Sequence, residues 1–564
     1  MPQEQSFWVS HLLSNLIESI IMKKILITLI IVGMSVSYLF QGCTKVLEEE
    51  AIREPVADVF YNTAEGYGQL INSCYTYTRT VVNFGTWAIF EYGTDLWTNG
   101  SDGAQSEFNT YLPSLSSRHA TLYNFWSGMY IGIGICNTAI SRGNKDISGM
   151  TEAQVKAKLG EALFLRAWFY EKLVMQFGDI PLVTEEVTSV VTTATRTPVQ
   201  QVYNQIISDL ETAESYLPVS QSDYGRANKA CAQALLARIH LYLKNYDKAE
   251  TYAKKVINDY DYALETTCEL LWDRDNEENK EVIFPIQYSR NERLNDPSDG
   301  GMNLGHTPRY DLHPGMTRSL IYSRPYPRYM PNRHFIDMLN EIRVHDSRYE
   351  AQFLDTWLAN NPKTLPAGMQ IGDTAVRVLP YAVSGTYRAS KIYKIYDVND
   401  IFMGENSYGS LQMFISMNKF YDKYRNSIAA SNTTRDYTEI RLAEMYLIAA
   451  EALIMQPGKK AQALPFINAI RLRAAKPGHE NAMRITDENE LTIDFILKER
   501  ALELCAERHR WIDLKRTGKL IEYAKLYNPN ARNQIQEFHL VRPIPTNFID
   551  RLSNKAEFQQ NPGY

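Results

Sequence analysis

Motifs of a catalytic or metal centre are absent from the chain. Its six cysteines form no C-x-x-C pair, and its ten histidines form no H-E-x-x-H. Neither the G-x-S-x-G turn nor the phosphate-binding G-x-x-x-x-G-K-[ST] loop occurs. We therefore predict no transition-metal site and no catalytic residues. Pairs of acidic residues keep a glycoside hydrolase open as a minority alternative, because a sequence does not show how far apart two carboxylates lie.

A strong excess of charge is also absent. The 59 basic and 65 acidic residues are interspersed and leave a net charge of −6, so we predict no nucleic-acid partner. No EF-hand spacing occurs, so we predict no cofactor, although loops rich in Asp and Asn leave a structural calcium ion open. Aromatic residues, in contrast, are plentiful: 36 tyrosines and 8 tryptophans suit amphipathic contacts.

A membrane-spanning run is missing as well. The apolar residues 25–40 are fewer than the roughly 20 that a spanning helix needs. Met22 and two lysines precede this run, and Gly42 and Cys43 follow it. The order predicts a secretory signal over residues 1–42 with a lipid attached to Cys43, and a signal anchor is the alternative. Residues 43–62 would form a tether, which begins with an acidic stretch ending at Glu50.

The first 21 residues fit this signal poorly. Glu4 and Glu18 precede the basic residues, so we predict that translation begins at Met22. If Cys43 carries lipid, five cysteines remain, and an odd number argues against a complete disulfide framework. We expect most of these as small side chains of the core.

Apolar residues recur at helical spacing on both sides of the middle of the chain. The predicted helices cover residues 63–80, 122–141, 151–176, 199–216, 229–243, 246–257, 440–454 and 459–473. Small residues lie where the two helices of a pair would cross, and they are Ala237, Ala249 and Ala253 in one pair and Ala449, Ala450, Ala452 and Ala463 in another. This packing resembles tetratricopeptide hairpins, which stack into a solenoid.

Residues 261–434 have a different character. Asn, Gly, Pro and Tyr become frequent, and only short elements such as a strand over 282–286 and a helix over 334–340 can be predicted. A stretch of this length is too long for a simple loop. We therefore predict an irregular lobe inserted between an N-terminal helical region, 63–260, and a C-terminal helical region, 435–564.

A charged segment, residues 499–519 (ERALELCAERHRWIDLKRTGK), follows an amphipathic helix that we expect to be capped near Thr486. Arg500 falls on the apolar stripe of that helix, so it needs carboxylates such as Glu499 or Glu503. The arginines would form an anion or substrate site, or they would form an ion-paired seam that locks the last helices to the others. The near balance of acids and bases favours the seam.

This segment resembles the signature of the SusD/RagB family, the surface-exposed nutrient-binding lipoproteins of Bacteroidetes. The matching positions are Glu499, Arg500, Glu503, Arg510, Trp511, Asp513, Leu514, Lys515 and Arg516. Further family-like segments are 93–97, 160–170 (GEALFLRAWFY), 177–182 (FGDIPL), 441–452 (RLAEMYLIAAEA) and 560–564 (QNPGY). They follow the family order across nearly the whole mature chain.

The resemblance implies a mainly α fold in which the helical hairpins build a right-handed superhelical scaffold. It also implies a lipid-anchored protein of the outer membrane that faces the cell exterior, binds a glycan without catalysis and partners a SusC-like TonB-dependent transporter. Some relatives bind peptides, so peptide capture is a second expectation.

We predict the ligand site on an aromatic surface shared by the loop 93–111 and the inserted lobe. Sugars have apolar ring faces and a rim of hydroxyls, so a binder needs flat rings together with amide or carboxylate groups. The predicted site residues are Trp97, Asn99, Asp102, Tyr310, Tyr322, Tyr326 and Tyr329. Four nearby prolines would stiffen the lobe tyrosines. The alternative is that these aromatic residues fix the lobe to the helices.

Overall fold

Helices form most of the regular structure in the computed structural model, which describes residues 16–28, 57–295, 300–404 and 407–564. The chain divides into a unit that ends at Phe60 and a compact unit, Tyr61–Tyr564. The first contains α1 (16–28) and α2 (Ala57–Phe60). Cys43, the acidic stretch and much of the predicted signal lie outside the described residues. Within the described ranges, no helix is long and apolar enough to cross a membrane.

The second unit begins with a helical region. Its helices are α3 (Ala64–Thr76), α4 (Arg79–Val82), α5 (Trp87–Glu91), α6 (Glu107–Thr110), α7 (Ala120–Gly143), α8 (Glu152–Phe177), α9 (Val199–Tyr216), α10 (Lys229–Tyr242) and α11 (Tyr246–Asn258). The Thr151 and Gln154 side chains each accept a hydrogen bond from the other's backbone N–H, and this capping box starts α8. Gly178, with φ of 73°, ends α8.

The middle of the chain contains short helices and strands. The helices are α12 (Cys268–Trp272), α13 (Met302–Gly305), α14 (Arg333–Ile342), α15 (Arg348–Gln352), α16 (Gly385–Ala389) and α17 (Val398–Ile401). The strands are β1 (Trp97–Asn99), β2 (Val282–Ile286), β3 (Tyr329–Pro331), β4 (Phe353–Leu354), β5 (Thr356–Leu358), β6 (Thr374–Val378), β7 (Lys394–Tyr396), β8 (Ser416–Met417) and β9 (Tyr437–Arg441). Of these, β1 lies in the first region and β9 follows the lobe.

Two strand pairs join distant parts of the chain. β1 pairs antiparallel with β3, with Trp97 opposite Pro331, so the predicted loop 93–111 contains a strand that pairs with the lobe. β2 pairs antiparallel with β9, which holds the two ends of the lobe side by side. The other pairs lie within the lobe: β4 with β8 antiparallel, β5 with β6 antiparallel, and β6 with β7 parallel.

The chain ends in a second helical region. Its helices are α18 (Leu442–Ile454), α19 (Leu464–Ala474), α20 (Glu480–Met483), α21 (Ile493–Glu503), α22 (Arg510–Arg516), α23 (Leu520–Tyr527) and α24 (Thr546–Ile549). α8 packs on α7 and α9, α10 on α11, and α18 on both α11 and α19. The seven alanines predicted at the crossings are all buried. The mainly helical fold is confirmed, and the two predicted helix pairs contact each other through α11 and α18.

One helix start differs from the prediction. The cap of α21 is Thr492, whose side chain accepts a hydrogen bond from the Phe495 N–H, and not Thr486. Asp487 caps a separate short turn instead. The helix also ends at Glu503, because Ala506 and Arg508 adopt positive φ values of 65° and 67°. The signature segment therefore lies on two short helices and the turn between them.

The five cysteines after Cys43 are free and buried, which agrees with the prediction of no complete disulfide framework. They are Cys74, Cys136, Cys231, Cys268 and Cys505. Burial raises the pKa of the Cys231 thiol to about 12 and that of Cys505 to about 11. They act as core side chains within the described residues.

Candidate functional site

Trp97 and Tyr329 belong to a buried aromatic cluster that fixes the lobe to the N-terminal helices. The Trp97 ring lies 5.2 Å from the Trp87 ring and 5.2 Å from the His306 ring, measured between centroids. The Tyr329 ring lies 4.2 Å from the Trp87 ring, and its hydroxyl donates to the Phe84 carbonyl. Both Trp97 and Tyr329 are 0% exposed. The strand pair β1–β3 brings these rings together.

The prediction for three site residues therefore needs correction. Trp97, Tyr310 and Tyr329 have no exposed ring on which a sugar could stack. Tyr310 is held inside the lobe, where its hydroxyl donates to the Ser323 carbonyl at 2.6 Å and its ring stacks on Trp357 at 6.3 Å. The physical reason is that an irregular lobe with few regular hydrogen bonds uses large rings to fill its interior.

The other four predicted residues are partly exposed, but they do not all come together. The Asn99 amide oxygen accepts hydrogen bonds from the amide groups of Asn109, at 2.8 Å, and Asn530, at 3.3 Å. The Tyr322 hydroxyl accepts from the backbone N–H of Leu358 at 2.8 Å. Among these four partly exposed residues, Asp102 and Tyr326 are connected through Arg328 and Phe84, and these two define the candidate site.

The candidate site consists of Phe84, Asp102, Gln105, Arg324, Tyr326 and Arg328, and we call it the Phe84 patch. The Phe84 and Tyr326 rings meet edge to face with centroids 6.2 Å apart. The Arg328 guanidinium lies 4.0 Å from the Phe84 ring centroid, and that of Arg324 lies 4.9 Å from the Tyr326 centroid. All six side chains are partly exposed. The patch combines aromatic rings with cations at its edge.

Arg328 connects the two aromatic rings to the polar loop. It donates one hydrogen bond to the Gln105 amide oxygen, at 3.0 Å, and one to an Asp102 carboxylate oxygen, at 3.2 Å. Because the Asp102 carboxylate has a second oxygen and the Gln105 amide has an N–H₂ group, acceptors and donors lie beside the rings. Such an arrangement can bind a ligand that has apolar faces and hydroxyl groups.

Backbone contacts hold the patch in shape. The Gly100 N–H donates to the Arg328 carbonyl at 2.7 Å, and the Asp102 N–H donates to the Pro327 carbonyl at 3.0 Å. A Cβ on Gly100 would lie 2.3 Å from the Pro327 oxygen, so only glycine permits this approach. The patch is therefore preorganised, which lowers the entropy lost when a ligand binds.

Four patch residues were not predicted from the sequence: Phe84, Gln105, Arg324 and Arg328. The two arginines flank Pro325, Tyr326 and Pro327, and the sequence prediction used only the tyrosine of this segment. Phe84 lies in the connection after α4, more than 200 positions from its partner Tyr326, and no local pattern indicates that contact.

The signature residues form the internal seam. Arg510 pairs with Asp95 at 2.8 Å, and Arg500 pairs with Asp513 at 2.7 Å. Glu499 accepts from Arg348 at 2.7 Å and from Arg471 at 2.8 Å. Trp511 is 0% exposed, and the other signature residues are also buried except Lys515 and Arg516, which are partly exposed. No surface anion site is formed by these groups, and Arg510 instead anchors the loop that carries Asp102.

Buried arginines control the protonation of the seam carboxylates. Burial opposes ionisation of Glu503, but Arg473, Arg441 and Arg348 outweigh it and hold the pKa well below the usual range. Burial likewise opposes ionisation of Glu444, yet Arg238 beside it lowers its pKa to about 2. These carboxylates stay charged at neutral pH and hold the arginines in place.

The pKa of Glu91 is shifted in the opposite direction, and this shift predicts that stability depends on pH. Burial raises its pKa from 4.5 to about 8, and the N–H groups of Arg508 and Arg510 only partly oppose this. Between these values the folded chain keeps a proton that the unfolded chain has released, so Glu91 lowers the free energy of unfolding as the pH rises. Glu91→Gln should therefore gain stability relative to the natural chain from about pH 5 to about pH 8, by a few kcal/mol.

Urea unfolding at several pH values measures this difference. Glu211→Gln, which changes an exposed glutamate on α9, is the matched control and should leave the pH dependence unchanged. Parallel curves for Glu91→Gln and the natural chain would contradict the assignment.

Comparisons with known proteins find similar sequences along most of the chain. The family model described as SusD family matches residues 268–564, and another, described as starch-binding associating with outer membrane, matches residues 62–241. SusD-like protein P2 of Formosa agariphila is 28% identical over 96% of this chain and 100% of its own length. Starch-binding protein SusD of Bacteroides thetaiotaomicron is 26% identical over 80% of this chain and 81% of its own.

Solved structures show the same fold. A laminarin binding SusD-like protein superposes with a TM-score of 0.68 at 22% identity and covers 89% of this chain and 100% of its own. A SusD homolog from Bacteroides thetaiotaomicron has a TM-score of 0.70 at 20% identity and covers 90% of this chain and 98% of its own.

Proposed function

Because this chain belongs to the SusD family, we propose that it is a non-catalytic protein that binds a glycan at the cell surface. The supporting observation is the Phe84 patch, in which two partly exposed rings lie beside the carboxylate, amide and guanidinium groups that hydroxyl-rich ligands need. Relatives named for binding starch and laminarin support the same ligand class. Asn99 and Tyr322 remain proposed as peripheral contacts.

Tyr326→Ala tests the site directly. Removing a stacking ring should weaken glycan binding by about 1–3 kcal/mol, or roughly five- to more than a hundredfold, because the ring is partly exposed and its contact with the ligand is lost. A glycan and peptide screen first identifies the ligand, and calorimetry then measures affinity. The melting temperature should change little.

Tyr387→Ala is the matched control, because Tyr387 is a tyrosine on α16 that is 36% exposed. It should leave affinity unchanged. Normal binding by folded Tyr326→Ala would remove the patch from the site. Binding of peptides alone would instead favour peptide capture, and release of reducing ends from a polysaccharide would favour a glycoside hydrolase.

We propose that the protein is anchored in the outer membrane through a lipid on Cys43, faces the exterior and delivers its ligand to a SusC-like TonB-dependent transporter. The family description, starch-binding associating with outer membrane, supports the location. Cys43→Ala should move the protein out of the membrane fraction. Purification from solubilised outer membranes should recover a large β-barrel protein with the natural chain, and its repeated absence would contradict the partnership.

A further inference from the structure

A cleft of about 490 Å³ lies among three connecting segments of the second unit, and it shares no residue with the Phe84 patch. The α9–α10 connection, the α11–α12 connection and the chain around β2 line it. Its volume falls within the range of about 300–1,000 Å³ that is typical of small-molecule sites. Glycan binding at the Phe84 patch does not involve this cleft.

Three tyrosines form its aromatic lining: Tyr224, Tyr260 and Tyr262. The Tyr260 and Tyr262 rings lie 6.1 Å apart at an angle of 42°. The Tyr260 hydroxyl donates to the Gln233 amide oxygen at 2.9 Å, and the Tyr262 hydroxyl accepts from the Asn228 amide at 2.9 Å. Because scaffold groups hold both hydroxyls, the rings keep their orientation without a ligand and lose little entropy when one binds.

The facing connection is fixed as well. Arg226 donates to Glu161 on α8 at 2.6 Å, and the Ala227 N–H donates to the Tyr75 hydroxyl on α3 at 3.0 Å. Gly225 has φ of 82°, and a Cβ there would lie 2.4 Å from the Gln287 side chain. The cleft is therefore bounded by rigid segments on both sides rather than by mobile loops.

Charge at the rim restricts the ligand. Asp259, Asp261 and Glu278 line the cleft, are exposed and have no side-chain partner within the described part of the chain. Two basic residues line the cleft. Arg226 is paired with Asp223 at 3.2 Å, so Lys280 is the one lining cation of the described residues that does not already pair with an acid. A net negative rim disfavours sulfated or uronic sugars and provides acceptors for hydroxyl groups.

We propose that this cleft is a second glycan site and that it binds neutral sugar units. The inference rests on the proposed function, because it assumes that the chain captures glycans. Two sites on one chain allow a long polysaccharide to bind at both, which raises its apparent affinity above that of a short oligosaccharide. The number of bound short oligosaccharides should then be two per chain.

The experiment uses the full chain and four neutral probes: amylopectin, laminarin and a short oligosaccharide of each. Calorimetry gives the stoichiometry for the oligosaccharide, and affinity electrophoresis gives retention by the polysaccharide. Tyr260→Ala with Tyr262→Ala should reduce the stoichiometry from two to one and weaken polysaccharide retention roughly tenfold. Tyr326→Ala should leave the cleft occupied and also give a stoichiometry of one.

Each outcome decides between the two proposals. A stoichiometry of one in the natural chain that only Tyr326→Ala abolishes would overturn the second site and leave the proposed function intact. If the natural chain binds none of the four probes, both the proposed function and the second site would be overturned for neutral glucans. If the double tyrosine variant does not fold, Asp259→Arg with Asp261→Arg, which places long side chains across the exposed rim, should reduce the stoichiometry in the same way. Unchanged stoichiometry in that folded variant would overturn the second site.

Discussion

Replacing Arg441 by alanine is expected to lower the free energy of unfolding by about 3–5 kcal/mol. The Arg441 guanidinium lies 2.7 Å from a carboxylate oxygen of each of Glu281, Glu503 and Glu507, and its side chain is 1% exposed. Without the cation, three buried carboxylates would each lose one partner and repel one another more strongly, and Arg473, Arg348 and Lys419 would remain beside them. These contacts join the start of β2 to the signature segment, so the loss weakens the junction of lobe and helices.

The loss in free energy of unfolding that Arg441→Ala causes should depend on pH. In the natural chain, arginines outweigh burial and lower the pKa values of Glu503 and Glu507, so the stability that these groups add is present at neutral pH and is lost as the pH falls through their folded pKa values. In the variant, the loss of Arg441 leaves burial less opposed, so these pKa values should rise, and protonation at lower pH should relieve part of the repulsion. The difference between the two proteins should therefore be largest near neutral pH and smaller near pH 4.

Urea unfolding at both pH values measures the effect. Arg333→Ala is the matched control, because Arg333 pairs with Asp337 at 2.8 Å on the exposed face of α14. Its loss should change stability by no more than about 0.5 kcal/mol. An equally small change for Arg441→Ala would show that the seam does not hold the fold together.

Trp97→Ala is expected to destabilise the chain by about 3–5 kcal/mol, because it removes a fully buried ring and leaves a cavity. The Trp97 ring packs 5.2 Å from Trp87 and His306 and 5.8 Å from Phe335, measured between centroids. Thermal and urea unfolding measure the loss. Any folded fraction should still bind glycan, because Trp97 does not reach the surface of the patch.

Phe84→Ala provides the contrasting control. Phe84 is partly exposed, so its removal should affect stability less and glycan affinity more than Trp97→Ala does. A near-normal melting temperature together with lost affinity in Trp97→Ala would return Trp97 to the ligand site.

Local signals predicted the helices well, because caps and apolar spacing act within a few residues. Thr63 caps α3, and Val199–Tyr216 has the predicted bounds. The α21 cap was predicted at the wrong threonine because Thr486 and Thr492 are both followed by residues that suit a helix. Only the burial of Leu491, which lies between them, favours Thr492 as the cap. The positive φ of Ala506 and Arg508 has no sequence signal, since neither residue is glycine.

The site was only partly predictable for a different reason. The two regions, loop and lobe, could be named from their aromatic and polar content. Which rings point inward depends on the β1–β3 pairing, which joins residues more than 200 positions apart. Polar neighbours suggested an exposed Trp97, yet Trp87 and His306 cover it. Exposure of a single aromatic residue is a tertiary property that composition does not determine.

The buried cysteines make the chain suited to site-specific labelling. Thiolates attack maleimide reagents, and burial keeps the five described thiols out of reach and raises the pKa values of Cys136, Cys231, Cys268 and Cys505. A cysteine introduced at exposed Ser101, beside Asp102, would then react far faster than these five. A fluorophore attached there would report ligand arrival at the Phe84 patch without removal of any native thiol from the core.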